Sequence, residues 1–175
     1  HLPNGEGSFA LVQLLPKALA GREFPPLQTV PTSKTNLPGR ALPFFGREQE
    51  LLAIRESIQR GSQCVVLKGA GGIGKTRLSL RFASESLKEY AEGGAGAWVC
   101  ECMDLRTISG LVHAVASVLN VPLTVRGLQA TSQLGNAIAA RGRILIVLDN
   151  FDHVTEYAEF TVATWAARAP QAVFL

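Results

Sequence analysis

Long apolar runs are absent from this 175-residue sequence, which has no stretch of 18 or more apolar residues. A membrane-spanning helix needs about 20 of them, so the sequence predicts no transmembrane segment and no membrane partner. The pattern of a secretory signal peptide is missing as well. The chain begins at His1 without a Met and stops at Leu175 inside an apolar run, and we expect a fragment of a larger cytoplasmic protein.

Cysteine is scarce and basic charge is scattered. An odd set of three thiols, Cys64, Cys100 and Cys102, disfavours a secreted disulfide scaffold. The C-x-C pair would share one strand face, but zinc needs two further ligands and none is evident, so ordinary thiols are predicted.

The net charge is only +3, and the Lys and Arg residues form no patch, so direct nucleic-acid binding is not expected. With 47% hydrophobic and 18% charged residues, the composition is that of a folded domain.

Composition divides the chain into three parts. Residues 1–20 include a short apolar run and are predicted to be the tail of a preceding domain. Residues 21–43 contain five prolines, which fix φ and remove backbone donors, so a linker is predicted there. Residues 44–175 alternate apolar strands with amphipathic helices.

The alternation predicts an α/β fold with a mainly parallel sheet in a three-layer α/β/α arrangement. The stretch 143–149 has no polar alternation, which is typical of a strand buried on both faces. Strands are predicted at 63–68, 97–103, 143–149 and from 172, and helices at 48–58, 75–83, 108–119, 132–140 and 156–168.

A glycine-rich turn lies between the predicted strand 63–68 and the next helix, and it matches G-x-x-x-x-G-K-[ST] at every fixed position. Glycines let backbone N–H groups approach phosphate oxygens closely, and the helix N-terminus adds a positive dipole. The sequence therefore predicts a P-loop in which Lys75 reaches the β- and γ-phosphates and the Thr76 hydroxyl ligates Mg²⁺. Arg77 is predicted beside the nucleotide or, equally, on a solvated helix face. The predicted nucleotide-binding residues here are Gly69, Ala70, Gly71, Gly72, Ile73, Gly74, Lys75, Thr76 and Arg77.

A carboxylate at the end of a buried strand is the second requirement of such a site. Asp149 ends the apolar run 144–148, and we expect it to bind Mg²⁺ with Thr76 and to act in catalysis with Lys75. The following residue, Asn150, cannot act as a base. The nearest remaining carboxylate is Asp152, which is predicted either to be catalytic or to be a solvated loop acid or helix cap. Because no base follows Asp149 directly, slow hydrolysis is expected.

Three segments together resemble the STAND ATPases, an NB-ARC-like class of signal-transduction ATPases, in their bacterial regulator branch. Residues 44–50 (FFGREQE) are similar to the Gly-Arg-Glu motif that precedes their P-loop. Residues 69–78 resemble the P-loop itself. Residues 148–153 (LDNFDH) resemble their Leu-Asp-Asn-x-Glu-His form, with Asp152 where the family has Glu.

The resemblance implies a base pocket in which Phe45, Gly46 and Arg47 lie beside adenine and ribose. It implies ATP and ADP as ligands, with ADP holding the protein closed and ATP opening it, often into a nucleotide-dependent oligomer. A sensor arginine, a winged-helix domain and helical repeats are implied beyond Leu175. No guanine-reading Asn-Lys-x-Asp motif occurs.

The N-terminal segment carries a weaker resemblance. Residues 9–15, 24–27 and 36–38 look like the tail and linker that follow a class III adenylate or guanylate cyclase domain in bacterial cyclase–ATPase fusions. The metal-binding acids of such cyclases are not present, so the resemblance implies no cyclase activity for this chain.

Three functional hypotheses follow. The first is a nucleotide-controlled signalling switch with slow Mg²⁺-dependent ATP hydrolysis. The second is a P-loop kinase acting on a small molecule, which gives no reason for a Gly-Arg-Glu motif upstream. The third is a scaffold that binds ADP without turnover, which Asn150 makes credible.

Overall fold

The computed structural model describes residues 34–38 and 44–175. The predicted domain tail, most of the predicted linker and the cyclase-like segments 9–15 and 24–27 lie outside the described residues. None of the described helices is both long and apolar enough to cross a bilayer. In chain order the elements are α1 (Glu48–Gln59), α2 (Lys75–Ala91), β1 (Ala97–Glu101), α3 (Ile108–Val118), α4 (Leu128–Ala139), β2 (Ile144–Asp149), a 3₁₀ helix (Phe151–Tyr157), a π-helical segment (Glu159–Ala163), α5 (Thr164–Arg168) and β3 (Ala172–Phe174).

The three strands form one parallel sheet in the order β1-β2-β3. In the register of β1 and β2, Glu101 lies opposite Asp149, so both strands end at the same edge of the sheet. β3 pairs with the first half of β2, where Ile144 lies opposite Ala172. Parallel strands joined through helices confirm the predicted α/β fold.

Helices cover both faces of the sheet. On one face, Ile144 and Ile146 of β2 pack into a core shared with α3, α4 and α5. On the other, Leu145 and Val147 pack into a second core with Phe82 of α2 and with α1. Because successive strand residues point to opposite faces, a strand buried on both sides must be apolar throughout, as β2 is.

The predicted strand at 63–68 is wrong in extent. The segment makes one parallel bridge, Cys64 to Phe174, supported by a 2.9 Å hydrogen bond from the Val65 N–H to the Phe174 carbonyl. β3 has only three residues, so it offers no partner to 66–68, and those residues belong to no strand. β3 thus lies between this segment and β2.

The segment 156–168, predicted as one helix, is only partly α-helical in the structure. The chain forms a 3₁₀ helix, then a π-helical segment, and becomes α-helical only at Thr164. Val154 has non-helical dihedrals, and the Thr161 hydroxyl donates a 2.6 Å bond to the Tyr157 carbonyl. Such bonds from side chain to backbone compete with regular helix formation. The helix ends at Arg168, before Pro170, as the sequence predicts.

Part of the predicted linker packs on the sheet. Thr35 bridges Ala97 at the outer edge of β1. The Asn36 side chain then imitates a peptide group: its amide donates to the Val99 carbonyl and its oxygen accepts from the Val99 N–H, both at 2.8 Å. Residues 34–36 therefore occupy the hydrogen-bonding edge of β1.

The Trp165 side chain is fully buried between α4 and β3, and it generates a stability prediction. Its ring lies 6.2 Å from that of Phe174, and its indole N–H donates to the Thr131 carbonyl. We expect Trp165→Ala to lower the free energy of unfolding by about 3–5 kcal/mol, because it leaves a cavity. Urea denaturation measures the change, with Leu52→Ala, at a 55% exposed position, as a control expected within about 0.5 kcal/mol of wild type. Equal effects of the two substitutions would contradict this packing.

Candidate functional site

The glycine-rich turn connects the segment 63–68 to α2 through backbone conformations that suit glycine. Gly72 and Gly74 have φ values of 74° and 97°, in the left-handed region where a side chain is strained. Gly74 immediately precedes α2, so the first N–H groups of a 17-residue helix, which have no partner within the helix, lie at the end of the turn. This geometry is suited to an anion.

Lys75 folds over the turn that precedes it. Its ammonium donates to the carbonyls of Gly69 at 2.9 Å and Ala70 at 3.1 Å. The positive charge is therefore held at the mouth of the loop, where the sequence predicts contact with phosphates. Arg77 lies in the first turn of α2 and is exposed.

Thr76 and Asp149 are brought together from distant parts of the sequence. The Thr76 hydroxyl donates a 2.9 Å hydrogen bond to Asp149 Oδ1, across 73 residues of sequence. A hydroxyl and a carboxylate are oxygen donors, which is the ligand type that Mg²⁺ prefers. The donor set therefore fits the predicted ion.

Arg47 joins the Gly-Arg-Glu segment to the loop. Its guanidinium donates to the Ile73 carbonyl at 3.2 Å and forms an ion pair with Glu50 at 2.7 Å. The hydrogen bond from Arg47 lowers the pKa of the Glu50 carboxyl. Arg47 itself has a φ of 68°, uncommon for a residue other than Gly, Asn or Asp. The backbone turn at Arg47 thus directs the guanidinium toward the loop.

A cavity of about 300 Å³ lies between α1, the segment 65–68 and the start of α2. Of the residues predicted beside the base, Arg47 lines it, whereas Phe45 does not and is 89% exposed. Gly46 is also outside the lining. The lining also includes residues 73–75, which the sequence predicts as part of the P-loop. Sequence reasoning missed the remaining wall residues, although the apolar stripe of α1 was a signal for those on that helix. Among the described residues, the lining is formed by Arg47, Glu50, Ala53, Ile54, Val65, Val66, Leu67, Lys68, Ile73, Gly74, Lys75 and Leu78.

Asp152 and Asn150 occupy different surroundings. Asp152 is in the first turn of the 3₁₀ helix with a 77% exposed side chain, and its carboxylate lies 3.8 Å from His153. The Asn150 side chain donates to Glu101 Oε1 at 2.8 Å. Glu101 was not among the predicted site residues, because its contact with Asn150 arises only from the pairing of β1 with β2.

The C-x-C pair consists of buried thiols. Cys100 and Cys102 are 2% and 0% exposed, and Cys102 Sγ lies 3.6 Å from the Cys100 carbonyl oxygen. A hydrogen bond between the thiols lowers the pKa of Cys100 and raises that of Cys102. Within residues 34–38 and 44–175, no group of three or more His, Cys, Asp or Glu side chains could hold a metal ion.

Comparison with known proteins defines the class. A family model described as an AAA domain matches residues 58–171. The chain belongs to this AAA-domain family of the P-loop NTPase superfamily.

Curated relatives also match the chain, and their names state no function. Uncharacterized proteins of Mycobacterium bovis and Mycobacterium tuberculosis are 30% identical to the chain over 134 residues, which is 75% of this chain and 32% of theirs. The chain thus spans about a third of the length of these curated relatives. No solved structure matches it.

The three thiols differ enough in exposure to give a labelling prediction. Cys64 is exposed to solvent, but neighbouring groups partly desolvate its thiol and raise its pKa. Less thiolate is therefore present at pH 8 than in free cysteine. With a thiol-specific chromogenic reagent, we expect one thiol per native chain to react, more slowly than free cysteine, and three after unfolding. Cys64→Ser should remove the native reaction. Rapid labelling of two or three native thiols would contradict the burial of the C-x-C pair.

Proposed function

We propose that this domain is an ATP- and ADP-binding signalling switch with slow Mg²⁺-dependent ATP hydrolysis, of the STAND type and part of a larger bacterial regulatory protein. The observation that carries the proposal is the Thr76–Asp149 hydrogen bond beneath a complete P-loop. It brings together a hydroxyl and a carboxylate, which we propose as the protein ligands of the Mg²⁺ that nucleotide hydrolysis requires.

The phosphates would be held by the backbone N–H groups at the start of α2 and by Lys75. Lys75 already lies over the turn, within hydrogen-bond distance of two loop carbonyls, so a triphosphate needs only to replace those acceptors. Mg²⁺, held by Thr76 and Asp149, would neutralise phosphate charge as it accumulates. Arg77 is a further candidate for the phosphates.

The adenine and ribose would occupy the cavity beside α1. Its apolar lining suits a heterocyclic base, and Arg47 at its border contacts the P-loop through Ile73. Phe45, exposed in the structure, and Gly46 remain candidates for this pocket through the family resemblance alone.

The switch role extends beyond this chain. We propose that ADP stabilises a closed form and that ATP drives opening and assembly, with a winged-helix domain and helical repeats following this segment. A class III cyclase domain preceding it and a cytoplasmic location belong to the same proposal. The resemblance of 44–50, 69–78 and 148–153 to STAND motifs supports the switch role, and the resemblance of 9–15, 24–27 and 36–38 to a cyclase tail and linker is the basis for the cyclase domain.

One observation favours a second candidate, an ADP-binding scaffold without turnover. Asn150 holds the position after Asp149, where a carboxylate could act as a base, and its amide is hydrogen-bonded to Glu101.

Measuring ATP and ADP binding together with phosphate release separates the candidates. Phosphate released to water supports the switch, tight ADP binding without turnover supports the scaffold, and transfer to an added small-molecule acceptor would indicate a kinase.

Removing the lysine ammonium tests the phosphate site. We expect Lys75→Ala to weaken ATP binding by about 3 kcal/mol or more, a loss beyond about 100-fold, because it removes charge-assisted hydrogen bonds to the phosphates. Isothermal titration calorimetry measures the affinity. Lys88→Ala, on the 85% exposed lysine of the same helix, is the matched control and should bind as wild type does. Normal ATP binding by Lys75→Ala would refute the assigned site.

Removing the strand-end carboxylate tests the ion site. We expect Asp149→Ala to bind ATP with an affinity that no longer depends on Mg²⁺, because Thr76 alone is a weak ligand. Titrations with Mg²⁺ and with EDTA give the comparison, and folding is checked by circular dichroism. A Mg²⁺ dependence equal to that of the wild type would contradict the role of Asp149.

A further inference from the structure

Glu101 lies beside Asp149 on the face of the sheet that α2 covers. The two residues are direct partners in the β1–β2 register. Val99 and Val147, two residues earlier in each strand, belong to the core formed with α2. Because side chains alternate along a strand, Glu101 and Asp149 point to that same face, on neighbouring strands about 4.8 Å apart.

The two carboxylates have different partners. Asp149 accepts its bond from Thr76 on Oδ1. Glu101 accepts from the Asn150 amide at 2.8 Å and from the Met103 N–H at 3.1 Å, and both bonds end on Oε1. The carboxylate is therefore oriented through one oxygen, while Oε2 is outside both bonds.

The backbone of Asn150 makes this arrangement possible. Its φ and ψ of 54° and 40° are in the left-handed region, which Asn tolerates better than most residues. The chain therefore turns sharply after Asp149. A 2.8 Å bond from the Cys102 N–H to the Asp149 carbonyl continues the contact between the strands beyond their last paired residues. The Asn150 amide can thus reach across to β1.

We propose that Glu101 is the carboxylate that accepts the proton of the attacking water, with Asn150 as its positioning residue; the proposal rests on the ATP hydrolysis proposed above. In the step, the water oxygen forms a bond to the γ-phosphorus. The bond from that phosphorus to the β–γ bridging oxygen breaks, and ADP leaves with its electron pair. The water proton passes to Glu101 Oε2, and afterwards to solvent.

Glu101 has an advantage of position over Asp152. Asp152 comes three residues after Asp149, on the exposed side of the 3₁₀ helix, and its carboxylate faces His153. Glu101 is instead fixed to the residue that follows Asp149. The function expected of an acid at position 150 is thus provided by the neighbouring strand, while Asn150 orients the group that provides it.

The first experiment uses Glu101→Gln, because glutamine keeps an acceptor oxygen for Asn150 and Met103 but cannot take up the proton. We expect ATP and ADP dissociation constants within about threefold of wild type and a single-turnover hydrolysis rate lower by about 100-fold or more. Asp104→Asn, at an exposed acid three residues further on, is the matched control and should hydrolyse ATP at the wild-type rate.

Asn150→Ala tests positioning. We expect kcat to fall by about tenfold with an unchanged KM, because the acid remains but is held by one bond fewer. An effect on KM alone would overturn the positioning role.

Three results would overturn the assignment of Glu101. The first is a hydrolysis rate of Glu101→Gln within threefold of the wild-type rate. The second is loss of hydrolysis in Asp152→Asn but not in Glu101→Gln, and the third is ATP binding by the wild type without hydrolysis. The last would leave nucleotide binding intact and favour the scaffold. Failure of the wild-type chain to bind ATP would instead refute the proposed function, and the role of Glu101 with it.

Discussion

The hydrogen bond between Thr76 and Asp149 is the interaction on which the geometry of the site depends. It joins the first turn of α2 to the last residue of β2, two elements otherwise held together by apolar packing. Apolar packing is non-directional and sets the distance between the elements without fixing the orientation of polar groups. The hydroxyl–carboxylate bond supplies that orientation, so the loop, the helix and the strand end meet as one site.

The hydrophobic core holds α2 against β2. β2 is buried on both faces, and Leu78 and Phe82 of α2 pack in the core that includes Leu145 and Val147. The same helix that buries these side chains presents its N-terminal N–H groups to the loop. The packing of α2 and the geometry of the candidate site are therefore coupled, since moving α2 along the sheet would separate Thr76 from Asp149.

Patterns local in sequence predicted most of the fold and some of the contacts of the candidate site. The P-loop spacing gave Lys75 and Thr76, and a strand without polar alternation gave Asp149, which the structure brings to Thr76. The place of β3 between the 63–68 segment and β2 was not predictable, because periodicity reports burial and not which strands are neighbours. Glu101 was missed for the same reason: its relation to Asn150 exists only once two strands, 49 residues apart, are in register.

The Asn36 side chain at the margin of β1 has a consequence for association. A strand with free N–H and C=O groups is a template on which another chain can add. Here a side-chain amide takes up both groups of Val99, so that margin is no longer available for pairing. Growth of the sheet by a further strand, from this polypeptide or a second molecule, is thereby directed to the opposite side, next to the segment that leads into the P-loop.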